Sequence, residues 1–404
     1  MKLLMITGLG SARDLASGKR GAFYNTLEEF SKYWDRIDII CPRSQASGTS
    51  RSLASGKVLF ENVYLHVSPW PLVFHPIWFL RKGLEIYKEQ KFDLMTVHDF
   101  PPFYNGLGAK LLERFIKVPY ILEIFHIPGY PRAASTKELI YKFLFKLFIR
   151  FDASGAKAVR VMNPVRSSLT RGHPTCALGA SETSYGMNQN QVPEFLIKAG
   201  VPKEKIIYIP AIYIDTDIFK PTGVQKEYDL IFVGRLEKNK GIDLLLESLS
   251  ILSTIYNLKP ITLVVGDGSL KEKLLRHSAT NLLANVVFHG WAKDSQEIAE
   301  LLNKSKILVM PSYNEGGPRV VVEALACGVP VLATPVGIVP DLLKNGPGGE
   351  IIEWKADDIA QKIRGLSGDS ARYQKYSQNG PEIAKQFEKK TAIKNYADRL
   401  KNLL

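Results

Sequence analysis

From Asp229 onward the chain alternates without a break between short apolar runs and longer amphipathic ones. DLIFVG, ITLVVG, VVFHG, KILVMP and PVLAT are rich in Val, Ile and Leu, as strands buried on both faces are. IDLLLESLSIL, LKEKLLRHS and SQEIAELLNKS, with helical periodicity, stand between the first four. Consecutive parallel strands need a crossover, and the crossover is normally a helix. Strict alternation therefore predicts an α/β fold, a doubly wound parallel sheet. The first half of the chain shows the same alternation, and 404 residues are too many for one ordinary domain. We expect two such domains, residues 1–218 and 219–380, joined through YIDTDIFKPTGVQ. A basic helix, 381–404, is expected to return to the first domain. Residues 166–192, polar and rich in Gly and Ser, read as an inserted mobile loop.

Composition narrows the class. Hydrophobic residues make up 45% of the chain and charged ones 23%, the balance of a soluble globular protein with a sizeable core. MKLLMITGLG reads as a first buried strand rather than a signal peptide, and no apolar run approaches the roughly 18 residues of a spanning helix. Cys41, Cys176 and Cys327 stand alone, which favours a reducing compartment and a cytoplasmic location. The net charge is +13, and residues 101–200 carry 13 Lys and Arg against 6 Asp and Glu. A basic half calls for an anionic partner, a phospholipid surface or a phosphate-bearing acceptor, and no nucleic acid is expected. Trp70–Lys82 and Leu139–Arg150 mix aromatic and aliphatic residues with Lys and Arg. Lys142, Lys146 and Arg150 fall on one helix face. Such stretches suit an interfacial helix, or a helix packed on a sheet with a snorkelling basic edge.

Open α/β sheets place ligands at the carboxyl ends of their strands, and the candidate site residues gather there. DLMTVHDF and YILEIFHIPGY each end in a histidine, of which His126 is the site candidate. Gly21 opens a helix that a phosphate could approach closely, whereas Gly8 and Gly10 lack the third glycine of a dinucleotide fingerprint. Asp215 and Asp217 could hold a divalent cation, but their setting is that of a linker turn. In the second half Gly234 closes a strand, and Arg235 and Lys240 follow it, a fork and a point charge suited to phosphate oxygens. Gly266 closes the next strand. Glu315 lies in the loop and Glu323 early in a helix expected to start near Pro318, with backbone N–H groups from Gly316, Gly317, Arg319 and Val320 facing the same space. An anion sits well on a helix start, and carboxylates beside it accept hydrogen bonds from hydroxyls. The guest these groups fit is a diphosphate carrying a sugar on each side.

Taken in order, FVGRLEKNKGIDLLLESL, LVVGDGSLKEKL, VVFHGW and PSYNEGGPRVVVEALACGVPVLATPVG resemble the donor half of a retaining glycosyltransferase of family 4. The resemblance covers nearly all of 226–355 and, more loosely, 1–165 and 192–225. It implies the GT-B fold, two Rossmann-like domains facing across a cleft. It also implies metal-independent transfer of a sugar, with retention, from a nucleotide diphosphate sugar to an acceptor hydroxyl, with no cofactor. Glu315 and Glu323 match the ends of the family's E-x7-E motif, implying contacts to the donor sugar and to the ribose. Arg235 and Lys240 match the pair that neutralises the diphosphate, His126 the active-site histidine and Gly21 the phosphate-facing glycine. Gly317 departs from the pattern, which often has Phe or Leu there, and the loop 8–21 and the insertion 166–192 have no placed counterpart. The expected acceptor is a cell-envelope glycan or lipid-linked carrier at the inner face of an anionic membrane. A nucleotide-sugar 2-epimerase on the same fold and a non-catalytic nucleotide-sugar-binding subunit stay open as alternatives.

Overall fold

The apolar runs become strands, as their β-branched side chains favour. The computed structural model describes residues 1–8, 15, 22–42, 57–71, 74–99, 104–162, 192–210, 212–278, 285–343 and 347–404. The chain divides into two compact units. One comprises Met1–Ile127, Ile140–Ala211 and Ile393–Leu404, the other Pro128–Leu139 and Ile212–Ala392.

The first unit is built on a sheet of eight strands: β1 (Lys2–Ile6), β2 (Arg36–Cys41), β3 (Lys57–Phe60), β4 (Val63–Val67), β5 (Leu94–His98), β6 (Tyr120–Ile124), β7 (Ala158–Val161) and β8 (Ile206–Tyr208). Their spatial order is β3-β4-β2-β1-β5-β6-β7-β8. Every pairing is parallel except that of the edge strand β3 with β4. Strand order reverses between β1 and β5, the position at which open α/β sheets take their ligands. The Trp70–Lys82 stretch contributes to a helix, His75–Glu89, that buries Trp78 and Phe79 and exposes Ile77. The closing helix of the chain, Lys389–Lys401, brings Tyr396 into this unit. Its hydroxyl donates to Glu123 Oε1 at 2.6 Å, and its ring stacks on Phe30. Glu123 also pairs with Arg160, which is fully buried and donates to the carbonyls of Ile209 and Pro210. A buried ion pair is tolerable only when its remaining donors are satisfied in this way.

The second unit has six strands, β9 (Tyr228–Val233), β10 (Thr262–Val265), β11 (Val286–Gly290), β12 (Ser305–Met310), β13 (Val331–Ala333) and β14 (Gly349–Ile351). All are parallel, in the order β11-β10-β9-β12-β13-β14. Alternate residues of β9 serve opposite faces: Ile231 packs in one core with Val321 and Leu325, while Leu230 and Phe232 pack in the other with Leu245 and Leu249. Order reverses between β9 and β12. In the linker, Asp215 Oδ1 accepts the Asp217 N–H at 3.1 Å, an Asx turn, and Phe219 anchors the segment in the core. Pro381 lies inside a helix that runs from Ser370 to Ala384, so the final helix starts later than 381, at Lys389.

Among the described residues no helix is long and apolar enough to cross a membrane. Cys41 and Cys327 are buried, and burial pushes both thiols up to about 12. Cys176, Gly21 and all of the expected insertion 166–192 but its last residue lie outside the described residues, and Val192 opens a helix, Val192–Lys198.

Candidate functional site

The second unit's site is assembled at the reversal between β9 and β12. An apolar strand must stop where its chain turns back into a helix, and each of the three turns here uses a glycine. Gly266, at the end of β10, has φ +140°, and a Cβ on it would sink into the Gly234 carbonyl at the end of β9. Gly241 has φ +66° and would likewise strike the Pro311 carbonyl beyond β12. Only glycine permits both the left-handed backbone and the close approach. The β9 loop and the β12 loop are thereby held together, with the Tyr313 N–H donating to the Asn239 carbonyl at 2.8 Å.

Lys240 sits at the end of a single 3-10 turn, Lys238–Lys240, and its ammonium pairs with the Glu315 carboxylate. Both side chains are mostly buried, 18% and 16% exposed. Ser312 Oγ donates to the same Glu315 oxygen at 3.1 Å. The residues expected to meet phosphate and sugar separately thus meet each other. Arg235, from the same loop, is exposed, and no ion pair to it is found among the described residues.

The helix after this loop runs from Arg319 to Ala326, one residue later than the sequence indicates, with Pro318 as its N-cap rather than its first turn. Proline has no side chain that could cap the helix, and no cap hydrogen bond is made. Its first amides and the positive end of its dipole therefore stay available. Glu323 lies in this helix, four residues after Arg319, as expected, and is 9% exposed. Arg319 Nε stands 2.8 Å from its Oε1. Burial pushes the Glu323 carboxyl above its ordinary range, and Arg319 partly offsets this. Arg319 was expected to offer only its backbone, yet its side chain holds one of the two motif carboxylates. Gly316 is fixed from behind, since a Cβ on Gly337 (φ +53°) would lie 2.6 Å from its carbonyl. Gly317, the departure from the family pattern, backs onto Ile212: a Cβ there would approach Ile212 Cδ1 to 2.8 Å.

Two further groups hold this loop, and neither is signalled locally in the sequence. Asn314, 3% exposed, donates from Nδ2 to the Arg132 carbonyl at 3.1 Å and to Glu138 Oε2 at 3.0 Å. Glu138 Oε2 also accepts the Ala134 N–H at 2.8 Å. Arg132 reaches the Trp354 carbonyl at 3.4 Å, and the Trp354 indole donates to the Ser312 carbonyl at 2.9 Å. The segment Pro128–Leu139, roughly 180 residues upstream of Glu315 in the chain, is thus part of the second unit and braces its central loop.

His126 belongs to the first unit, exposed and two residues beyond the end of β6 rather than on the strand. His98, the last residue of β5, is held neutral: burial first, then the neighbouring His126, push its pKa down to about 3. Of the two histidines, His126 is the exposed one.

Residues 214–383 match the model of the glycosyl transferases group 1 family. An uncharacterized protein from the cps region of Klebsiella pneumoniae is 33% identical over 335 residues, 78% of each chain. An uncharacterized glycosyltransferase of Methanocaldococcus jannaschii is 26% identical over 81% of this chain and 82% of its own. TuaC of Bacillus subtilis, a candidate teichuronic acid biosynthesis glycosyltransferase, is 25% identical over 85% and 83%. Among solved structures, sucrose-phosphate synthase of Thermosynechococcus elongatus superposes with a TM-score of 0.73 at 15% identity, covering 100% of this chain and 99% of that one. HepE of Anabaena, solved with UDP and glucose, does so with a TM-score of 0.68 at 20% identity, covering both chains in full. At such identities the structural likeness establishes the fold, GT-B, with two parallel-sheet α/β domains.

Proposed function

Because the chain belongs to the group 1 glycosyltransferases, and is related to cell-envelope or polysaccharide enzymes among them, we propose a finer reading: a retaining, metal-independent transferase of family 4. It takes a sugar from a nucleotide diphosphate sugar and gives it to the hydroxyl of a glycan or lipid-linked acceptor at the inner face of a membrane. The observation that carries this reading is the Lys240–Glu315 pair beside an uncapped helix start at the sheet's reversal point. A carboxylate for hydroxyls and a cation for phosphate stand in contact there, where a doubly wound sheet takes its nucleotide.

Donor binding then exchanges partners. Lys240 turns from Glu315 to the β-phosphate, and Glu315 accepts hydrogen bonds from the sugar hydroxyls. Glu323 takes the ribose hydroxyls, and Arg319 beside it offsets part of the cost of burying that carboxylate. As the anomeric C–O bond breaks, negative charge grows on the β-phosphate. Arg235, Lys240 and the amides of Gly316, Gly317, Arg319 and Val320 stabilise that charge more than they do the ground state. Those positive groups take the place of a divalent cation. The leaving phosphate oxygen receives the acceptor's proton, and His126 orients the sugar or the acceptor.

A thermal-shift panel of UDP-, GDP- and ADP-sugars identifies the donor. With it, Glu315→Ala and Lys240→Ala are each expected to lower kcat/KM by about a hundredfold or more, the size of one lost electrostatic contact in a transition state. Losses within about threefold would sink the assignment. Product NMR reports retention through the anomeric coupling, and undiminished turnover in EDTA reports metal independence. An inverted product or loss of turnover would each remove that part of the reading.

A further inference from the structure

Two helices, one in the first unit and one that belongs to it from Ile140 onward, leave apolar side chains in solvent in one shared pattern. On Thr136–Gly155, Phe145 and Ile149 turn into the core, while Ile140, Phe143, Leu147, Phe148 and Phe151 are exposed. On Tyr104–Ile116, Ala109 and Leu112 are buried, while Leu107, Leu111 and Phe115 are exposed. These eight exposures run from 37% to 66%. Spacings of three and four, with Phe148 directly after Leu147, put each exposed set in one stripe. Packing on a sheet requires a single apolar stripe per helix, and each of these carries two.

The stripes adjoin. Lys110 Nζ lies 3.5 Å from the centre of the Phe151 ring and donates to Phe151 O at 3.2 Å and Ser154 Oγ at 2.6 Å. Each stripe is edged by cations, Lys110 and Arg114 on one helix and Lys142, Lys146 and Arg150 on the other. Against them stand Glu113 and the buried Asp152. A joined apolar patch of this extent marks an interaction site, and its charge chooses the partner. A second copy of this chain would set cations against cations. Long cationic side chains around exposed Phe, Leu and Ile match the boundary between acyl chains and anionic headgroups.

We propose that the paired stripes are a membrane-docking face, which lies on a bilayer containing anionic lipid with its aromatic and aliphatic side chains in the acyl boundary. It supplies the surface for the membrane contact in the proposed function and rests on that reading for its purpose, while the docking itself involves no sugar chemistry.

The test is co-sedimentation of the full chain with phosphatidylcholine vesicles, with and without phosphatidylglycerol. Wild type is expected to partition onto the anionic vesicles, more weakly as salt rises. Phe143→Glu with Leu147→Glu, both exposed positions, is expected to lower the partition coefficient by more than about tenfold with nucleotide-induced thermal shifts unchanged. Lys142→Ala, Lys146→Ala and Arg150→Ala together should weaken binding and flatten its salt dependence. Failure of wild type to bind at low salt, or equal partitioning of wild type and the Phe143/Leu147 variant, overturns the proposal. So does a dimer in light scattering that this variant dissolves. Vesicle binding without any shift from a nucleotide sugar would leave the docking face standing and remove the proposed reaction.

Discussion

Glu315 and Lys240 face each other in a mostly buried contact, so their energetics can be read without a substrate. In the unliganded protein, Lys240→Ala and Glu315→Ala should each lower stability, and the double variant should lose less than the sum. The coupling expected for a mostly buried pair is about 0.5–3 kcal/mol. Denaturant curves on the four proteins measure it, and additive losses would show the pair to be energetically idle. A different carboxylate should contribute to the pH dependence of stability. Burial, then the neighbouring Asp99, push Asp152 up to about 9, and neither of its oxygens accepts a hydrogen bond among the described residues. The folded state therefore holds a proton there that the unfolded chain releases near pH 4. By linkage this contribution to stability is fully present below about pH 4 and is lost progressively until the pH passes about 9. Asp152→Asn keeps a donor for Asp99 without the proton. Its melting temperature should fall less than that of wild type between pH 5 and pH 9, and parallel curves would contradict the assignment.

The strand ends, more than the strands, carry the site. Gly266 and Gly241 allow three loops to converge, so Gly266→Ala adds backbone strain of about 1–3 kcal/mol as well as a clash with Gly234. A drop in melting temperature of several degrees should accompany it, and an unchanged melting temperature would mean that the two strand tails can part freely. The brace formed by Pro128–Leu139 acts on the same loop from behind. Asn314 adjoins Glu315 and depends on Glu138 for one of its hydrogen bonds. Glu138→Ala is expected to raise the KM for donor several-fold with a smaller change in kcat, and Glu138→Gln, which keeps an acceptor oxygen, to restore most of it. If kcat alone fell, the brace would serve something other than donor positioning.

At the scale of the whole molecule, each unit has its own sheet and its own core, which lets a ligand mark one without the other. Amide hydrogen exchange with the matching nucleotide should slow at Arg235–Gly241 and Gly316–Glu323, with little change in the strands of the first unit. Protection spread evenly over both units would place the nucleotide elsewhere.

The sequence by itself determined the fold class and one half of the candidate site. Apolar runs alternating with amphipathic ones admit little but parallel doubly wound sheets, because periodicity and crossover geometry are local properties of the chain. Arg235, Lys240, Glu315 and Glu323 were legible for the same reason: strand ends and helix starts can be recognised from neighbouring residues. Only the tertiary structure decided how those residues pair. Lys240 with Glu315 is a contact between loops 75 residues apart, and Arg319 takes up Glu323 by a side-chain rotamer that no motif specifies. The same holds for Asn314, braced by a segment from the first half of the chain, and for the second apolar stripes on two helices. Their composition was plain in the sequence, but which side of a helix the core leaves uncovered is settled by packing, and packing depends on residues distant in the chain.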